Sequence, residues 1–306
     1  MDGRADQQGS GPVWAYVAGS GRSGSTLLGV LMTRATQGFN CGELRELWDS
    51  LEAGRRCQCG SVLADCRLWS SVVEDVHRTM GPELAPALAE RRERRRWSRF
   101  ARRFAWLSPL DIALRNASER AIERVTSAPV IIDVSKLQQA LATAIRRPRR
   151  MVVVHLVRDP RGVAFSRRRA KEIPHLSVVL PSHPVWKSAR RWDLDNVQTE
   201  YRLWQARHMP WIVPTRLTYE QLADDPQQAV APIVDLIGGA HSAPSPWSGH
   251  AIAGNNALYE ETSVQLDRRW HRNMSRRDRA VTVALTAPLL YRYGYPLGVQ
   301  GNVQPD

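Results

Sequence analysis

Gly19-Ser20-Gly21-Arg22-Ser23-Gly24-Ser25-Thr26 puts glycines, hydroxyls and one guanidinium into a single short stretch, a set of groups suited to holding an anion. The apolar run from Val13 to Ala18 feeds it, and Leu27-Leu28 continues into a helix. Glycines let backbone amides turn toward one point, and the unpaired amides of a helix start add partial positive charge. Gly21, Arg22, Ser23, Gly24, Ser25 and Thr26 are therefore candidate ligands for a phosphate or a near relative of one. The plainer alternative is a structural glycine turn between strand and helix. The nucleotide-triphosphatase form of such a loop, G-x-x-x-x-G-K-[ST], carries a lysine where this chain has Ser25 after Gly24. The cation here is Arg22, and no acidic strand end stands out to hold magnesium, so a kinase-like phosphotransferase using ATP is the second choice.

A second loop has matching chemistry. Met151 to Val157 is short, continuous and β-branched, the pattern of a buried parallel strand, and it runs into Arg158-Asp159-Pro160-Arg161. Pro160 and Arg161 suit the first turn of a helix on which Ser166 faces the strand end. Arg158 and the Ser166 hydroxyl form a candidate second anion site. An Arg158–Asp159 ion pair, or an arginine capping a neighbouring helix, is the structural alternative. Two anion sites at two strand ends, without a triphosphate lysine, point to a nucleotide phosphorylated at both ends of its ribose.

On these residues the chain resembles the sulfotransferases that use 3′-phosphoadenosine 5′-phosphosulfate (PAPS). In that family a Lys- or Arg-Ser-Gly-[Ser/Thr]-Thr loop holds the 5′-phosphosulfate, matched by Arg22 to Thr26. An Arg and a Ser hold the 3′-phosphate, matched by Arg158 and Ser166 in R-D-P-R-x-x-x-x-S. Asn40 to Glu46 is similar to the Gly-Glu segment of tyrosylprotein sulfotransferases and bacterial relatives, where the glutamate, here Glu43, is the general base. Val130 to Lys136 resembles the Asp-x-Ser-Lys strand end, whose lysine lies beside the transferring sulfuryl group. Thr218 to Pro226 resembles the segment after the last sheet strand. His250 to Asn256, HAIAGNN, resembles a loop that closes over the nucleotide, with Asn256 where many relatives carry proline. The resemblance runs from about Trp14 to Trp270 and implies a bacterial-type, PAPS-dependent sulfotransferase with no metal requirement.

Sulfuryl transfer is mostly a matter of charge placement. Arg22, always protonated and rich in donors, suits the bridging and phosphate oxygens. Of the three lysines, Lys136, Lys171 and Lys187, only Lys136 follows a core strand. Glu43 is the base if partial burial lifts its pKa, and otherwise an acid at the start of a helix over 43–52. The adenine is expected between Arg22 and Arg158, with Trp192 as a stacking platform and Asn196 one turn further on.

These groups need strand ends to hold them. Candidate strands at 13–18, 130–134, 151–157 and 211–217 alternate with helical stretches, which predicts an α/β fold with a P-loop-like parallel sheet flanked by helices. With 306 residues, 43% of them hydrophobic, one large domain over 13–297 is expected, with a helical lid insertion about 66–127 and frayed tails at 1–12 and 298–306. No segment has the length of a membrane span and MDGRADQQGSGP has no apolar signal core, so a soluble, cytoplasmic protein is expected. The excess of arginine over lysine fits a GC-rich bacterial genome.

The net charge of +13 admits a polyanionic cofactor, an acidic acceptor or nucleic acid. Arg91 to Arg103, with Trp97, Phe100 and Phe104 as an apolar stripe, reads as a helical lid in preference to a nucleic-acid helix, since no recognised nucleic-acid fold accompanies it. A basic nucleic-acid-binding protein with a vestigial phosphate loop is the alternative from another class. The acceptor is not named by the motifs; an acidic glycan or glycolipid is compatible with the basic run. Cys41, Cys57, Cys59 and Cys66 are read as buried thiols or a labile pair, ahead of a zinc site whose fourth ligand would be Cys41 or His77. The segment C-Q-C-G-x5-C-x2-W is similar to one that recurs in bacterial sulfotransferases.

Overall fold

The structure is a computed structural model describing residues 11–96, 108–136, 148–173, 178–239, 245–254, 258 and 266–298. Its strands are β1 (Val13–Gly19), β2 (Phe39–Gly42), β3 (Val130–Lys136), β4 (Met151–Val157), β5 (Lys171–Ile173), β6 (Val178–Leu180) and β7 (Ile212–Thr218). Five of them form a sheet in the order β2-β3-β1-β4-β7, parallel throughout, while β5 and β6 form a separate antiparallel pair. The α/β expectation holds, and four of the sheet strands lie within two residues of their expected bounds. β2 went unseen: it is a four-residue edge strand whose polar Asn40 breaks any apolar run.

Period-two alternation divides the sheet between two cores. Trp14, Tyr16 and Ala18 of β1 face one, with Ile131 and Met151; Ala15 and Val17 face the other, with Ile132 and Val152. Helices Ser25–Thr36 and Pro226–Ile237 cover the second core through Leu28, Met32, Val230 and Ile233. Helices Arg67–Met80, Leu84–Arg96 and Pro109–Thr126 cover the first, with Trp69, Val72, Ala87, Leu114 and Ile122 packed on the sheet side. The described parts of the stretch expected to be a lid insertion, 66–96 and 108–127, therefore include helices that pack on the sheet. Burying each large apolar side chain there stabilises the fold by about 1.5–3 kcal/mol.

The same layer neutralises part of the basic run. Arg91 donates to Asp49 Oδ1 at 2.9 Å, Arg92 to Glu52 Oε1 at 2.6 Å, and Arg94 pairs with Asp111 at 2.7 Å. Trp97, Phe100 and Phe104 lie outside the described residues, as do most of both tails and Asn256. Among the described residues no helix is long and apolar enough to cross a membrane.

The strand order fixes where a ligand fits. From β1 the chain builds β2 and β3 on one side, then crosses to place β4 and β7 on the other. The carboxyl ends of β1 and its two neighbours thus surround a topological switch point, the position where open parallel sheets bind ligands.

Candidate active site

The loop after β1 is shaped by sterics. Gly19 has φ +129, and a Cβ there would meet Leu156 O at 2.3 Å, so no other residue fits. Gly24 caps helix Ser25–Thr36 at φ 90, and the first helical hydrogen bond runs from Leu28 N to Gly24 O at 2.9 Å. The amides just before Leu28 precede that ladder and face out of the helix start. Ser23 Oγ is buried with no hydrogen-bond partner among the described residues. A buried hydroxyl beside unladdered amides is a donor set that suits an oxyanion.

Two residues that the sequence did not single out fix this loop. Arg167 Nη2 donates to Gly21 O at 2.9 Å, and Ser20 Oγ donates to Asp195 Oδ2 at 3.0 Å. Arg22 has φ 72, a left-handed conformation that costs a residue with a Cβ about 1–2 kcal/mol. Burial lowers the pKa of its guanidinium, with Glu43 opposing and Arg158 adding to the shift. An anion in the loop would relieve that cost.

At the ends of β2 and β3 the charges are paired. Glu43 is buried, and its Oε1 accepts from Lys136 Nζ at 2.5 Å. Its Oε2 accepts from Arg45 Nη2 at 2.8 Å and Nε at 3.1 Å. Burial pushes the Glu43 carboxyl up, but Lys136 and then Arg45 outweigh it and hold the pKa at about 2. The expectation that burial would raise Glu43 into the range of a general base is therefore corrected: its two cations outweigh burial. Lys136 shares the left-handed backbone, at φ 64, and burial lowers its pKa against the attraction of Glu43.

Behind this pair runs a buried polar chain. Ser135 Oγ accepts from Arg45 N at 3.1 Å and donates to Asp133 Oδ1. Arg115 Nη2 donates to Asp133 Oδ2 at 2.6 Å, and Arg115 Nε to Glu119 Oε1 at 2.5 Å. Helix Pro109–Thr126 is thereby tied to the strand end that carries Lys136. Residues 43–52 are not one helix: Glu43 precedes a 3-10 turn, Leu44–Glu46, and the α-helix begins at Leu47.

At the end of β4, Arg158 is buried with its guanidinium 4.1 Å over the Tyr219 ring. Its Nη1 donates to Arg22 O at 3.1 Å, and Nη2 lies 3.6 Å from Asp267 Oδ2. Asp159 is not its partner. That carboxylate caps helix Pro160–Arg167 and binds the buried Arg161, Nη2 to Oδ2 at 2.6 Å. A Cβ on Gly162 would lie 3.1 Å from Arg158 Nε, so the guanidinium runs along the helix face on which Ser166 stands one turn later. Tyr219, whose ring also meets Gly24 closely enough to exclude a Cβ (2.7 Å), joins the two loops.

Trp192 is a correction. It is 0% exposed, packed against Val157, Val163 and Leu289, and its Nε1 donates to Arg158 O at 2.9 Å. An indole with no free face cannot stack on a base. It supports the strand end instead, while Asn196 Oδ1 meets His155 Nε2 at 2.9 Å.

The cysteines are free thiols, with Cys41, Cys57 and Cys66 buried, and the residue that joins three of them is neither Cys41 nor His77. Cys57, Cys59 and Cys66 converge on His250 Nδ1, with all four ligand atoms within 4.8 Å of one another. Cys41 is elsewhere, its thiol donating to Ile132 O at 3.1 Å, and His77 is exposed. His250 begins the loop expected over the nucleotide, and that loop does reach the site: Glu43 N donates to Ile252 O at 2.8 Å, and a Cβ on Gly254 would lie 3.3 Å from Thr26 Cγ2.

No protein-family model matches the chain, and no curated protein matches it. Among solved structures, the sulfotransferase domain from the Synechococcus PCC 7002 olefin synthase is similar at 17% identity and a TM-score of 0.48, over 95% of this chain and 99% of that one. The sulfotransferase domain from the curacin biosynthetic pathway is similar at 15% identity and a TM-score of 0.48, over 94% of this chain and 99% of that one.

Proposed function

We propose that the protein is a PAPS-dependent sulfotransferase acting on a hydroxyl or amine acceptor. The observation that carries this reading is the hydrogen bond from Arg158 Nη1 to Arg22 O at 3.1 Å. It makes the amide loop at the end of β1 and the guanidinium at the end of β4 two parts of one cleft, as a nucleotide with anions at both ends of its ribose requires. PAPS supplies the sulfuryl group and a phosphate leaving group.

Arg22 to Thr26 hold the 5′ end, with the Ser23 hydroxyl satisfied by an oxyanion. Arg158 and Ser166 hold the 3′-phosphate, and Tyr219 keeps the Arg158 fork in plane. Glu43 accepts the acceptor's proton at one carboxylate oxygen. Held by Lys136 and Arg45 it is a weak base, because proton affinity falls as neighbouring cations approach. Lys136, the stronger of its two cations, is drawn toward negative charge building in the loop, which raises the basicity of Glu43 as transfer begins. Base and electrophile are thereby coupled through one ion pair.

The test is calorimetric titration with 3′-phosphoadenosine 5′-phosphate (PAP), ATP and AMP, followed by turnover of labelled PAPS across a panel of hydroxyl acceptors. Selective PAP binding is the expected result. Equal binding of ATP with magnesium-dependent turnover would replace this reading with a phosphotransferase.

A further inference from the structure

Four side chains of metal-ligating type from three separate stretches of chain meet at one point outside the chemistry above, three of them 15 to 24 residues beyond the end of β2 in sequence. Cys57 and Cys59 lie in a tight turn closed by Gly60 N donating to Cys57 O at 2.9 Å. Cys66 is the N-cap of helix Arg67–Met80, and His250 comes from the far end of the chain. Cys59 and Cys66 Sγ are 3.8 Å apart, and His250 Nδ1 lies 3.2 Å from Cys66 Sγ and 3.8 Å from Cys57 Sγ.

These spacings can be compared with geometry. A tetrahedral zinc with bonds of about 2.3 Å to sulfur and 2.0–2.1 Å to nitrogen puts two sulfurs roughly 3.8 Å apart and sulfur and nitrogen roughly 3.6 Å apart. The observed separations match the first and bracket the second. None of the cysteines is disulfide-bonded. Apolar packing gives no reason for three thiols and an imidazole to aim their donor atoms at a common centre.

Trp69 Nε1 donates to His250 O at 2.7 Å, which fixes the backbone of the fourth ligand.

We propose that Cys57, Cys59, Cys66 and His250 bind a structural zinc ion. Three thiolates and an imidazole are a soft, tetrahedral donor set that selects zinc among abundant divalent ions and leaves no position for substrate. Each thiol releases its proton to solvent as its sulfur takes the metal. The ion fastens the 245–254 stretch to the turn after helix Leu47–Glu52, where Gln58 N already donates to Ala251 O at 3.1 Å. One residue on, Ile252 N donates to Cys41 O at 3.0 Å and its carbonyl accepts from Glu43 N. Zinc thus holds the backbone of Glu43 in place from outside the cleft.

The test is elemental analysis of the purified full chain. About one zinc per chain is expected, lost in Cys57→Ser, Cys66→Ser and His250→Ala but kept in Cys41→Ser and His77→Ala. Cobalt added to chelator-stripped wild type should give the intense visible bands of a tetrahedral thiolate site. Should the ligand variants fail to fold, the wild type decides through thiol labelling: the three ligand cysteines should react only after chelation. Wild-type protein that folds without zinc, refuses cobalt and labels at once overturns the proposal, and full zinc in His250→Ala overturns the ligand set. Zinc content is read independently of PAP binding, so failure of the sulfotransferase reading leaves this result standing.

Discussion

At the ends of β2 and β3, Lys136 and Arg45 both reach Glu43, at 2.5 and 2.8 Å. At the ends of β1 and β4, Arg22 has no hydrogen-bonded carboxylate among the described residues, and Arg158 meets Asp267 only at 3.6 Å. The residue types are alike, but their electrostatic states differ. Paired charges are already satisfied and change state only when something removes a partner, which suits proton transfer. Loosely paired cations on a buried ledge carry a desolvation cost that an incoming anion relieves, which suits binding. The two sides of the cleft are therefore expected to fail in different ways when altered.

The largest effect should come from the paired side. Glu43→Gln keeps the shape but removes the proton acceptor, and turnover of labelled PAPS should fall by about 10²–10⁴-fold, with PAP affinity by calorimetry unchanged or higher. Retained turnover would remove the base role. Next is the support beneath Arg158: Trp192→Ala should cost about 3–5 kcal/mol of stability in a denaturant titration. At temperatures where the variant is folded, PAP should bind with little change, whereas a stacking role would show as lost affinity in a stable protein.

On the binding side, Arg158→Ala should weaken PAP by roughly 10–100-fold, the worth of a charged hydrogen bond, and leave AMP affinity almost untouched. Equal losses for both ligands would show that Arg158 does not read the 3′ end. Ser166→Ala should lose only a few-fold, about the value of one neutral hydrogen bond.

The smallest effect per step is on acid stability, and it separates the two sides by pH. His155 on β4 is buried neutral, its pKa pushed by burial from 6.5 down to about 4. The unfolded chain binds that proton first on acidification, so stability falls as pH drops through 6.5 toward 4. Glu43, held from 4.5 down to about 2, adds stability that is fully present above 4.5 and lost as pH falls toward 2. Denaturant midpoints against pH should show both windows, with the upper one flattened in His155→Gln and the lower one in Glu43→Gln.

Much of this could be seen in the chain before folding, for a physical reason. β1 and β4 are near-continuous apolar runs and β3 begins as one, because both faces are buried, and a residue that follows such a run in sequence lies at the sheet's carboxyl edge. That places Arg22, Lys136 and Arg158 without any long-range information. β2 was obscured by its polar Asn40, and the packing of helices Arg67–Met80, Leu84–Arg96 and Pro109–Thr126 because an amphipathic helix looks the same whether it covers a sheet or lines a lid. Trp192 was misread because an indole's polar tip and apolar body suit a ledge and a core equally. Glu43's low pKa depends on Lys136, 93 residues away, and the fourth partner of the cysteines lies 184 residues beyond Cys66. Pairing over such distances leaves no local trace.

The bond from Arg158 to the Arg22 carbonyl sets a gauge. Because it is made within the protein itself, the spacing between the two cationic loops is fixed before any ligand arrives, like the jaws of a locked calliper. If the two loops take the two anions of one ligand, as proposed, a molecule whose anions lie at another separation would have to break that bond or leave one jaw unused, so discrimination by length would come from the protein's own geometry.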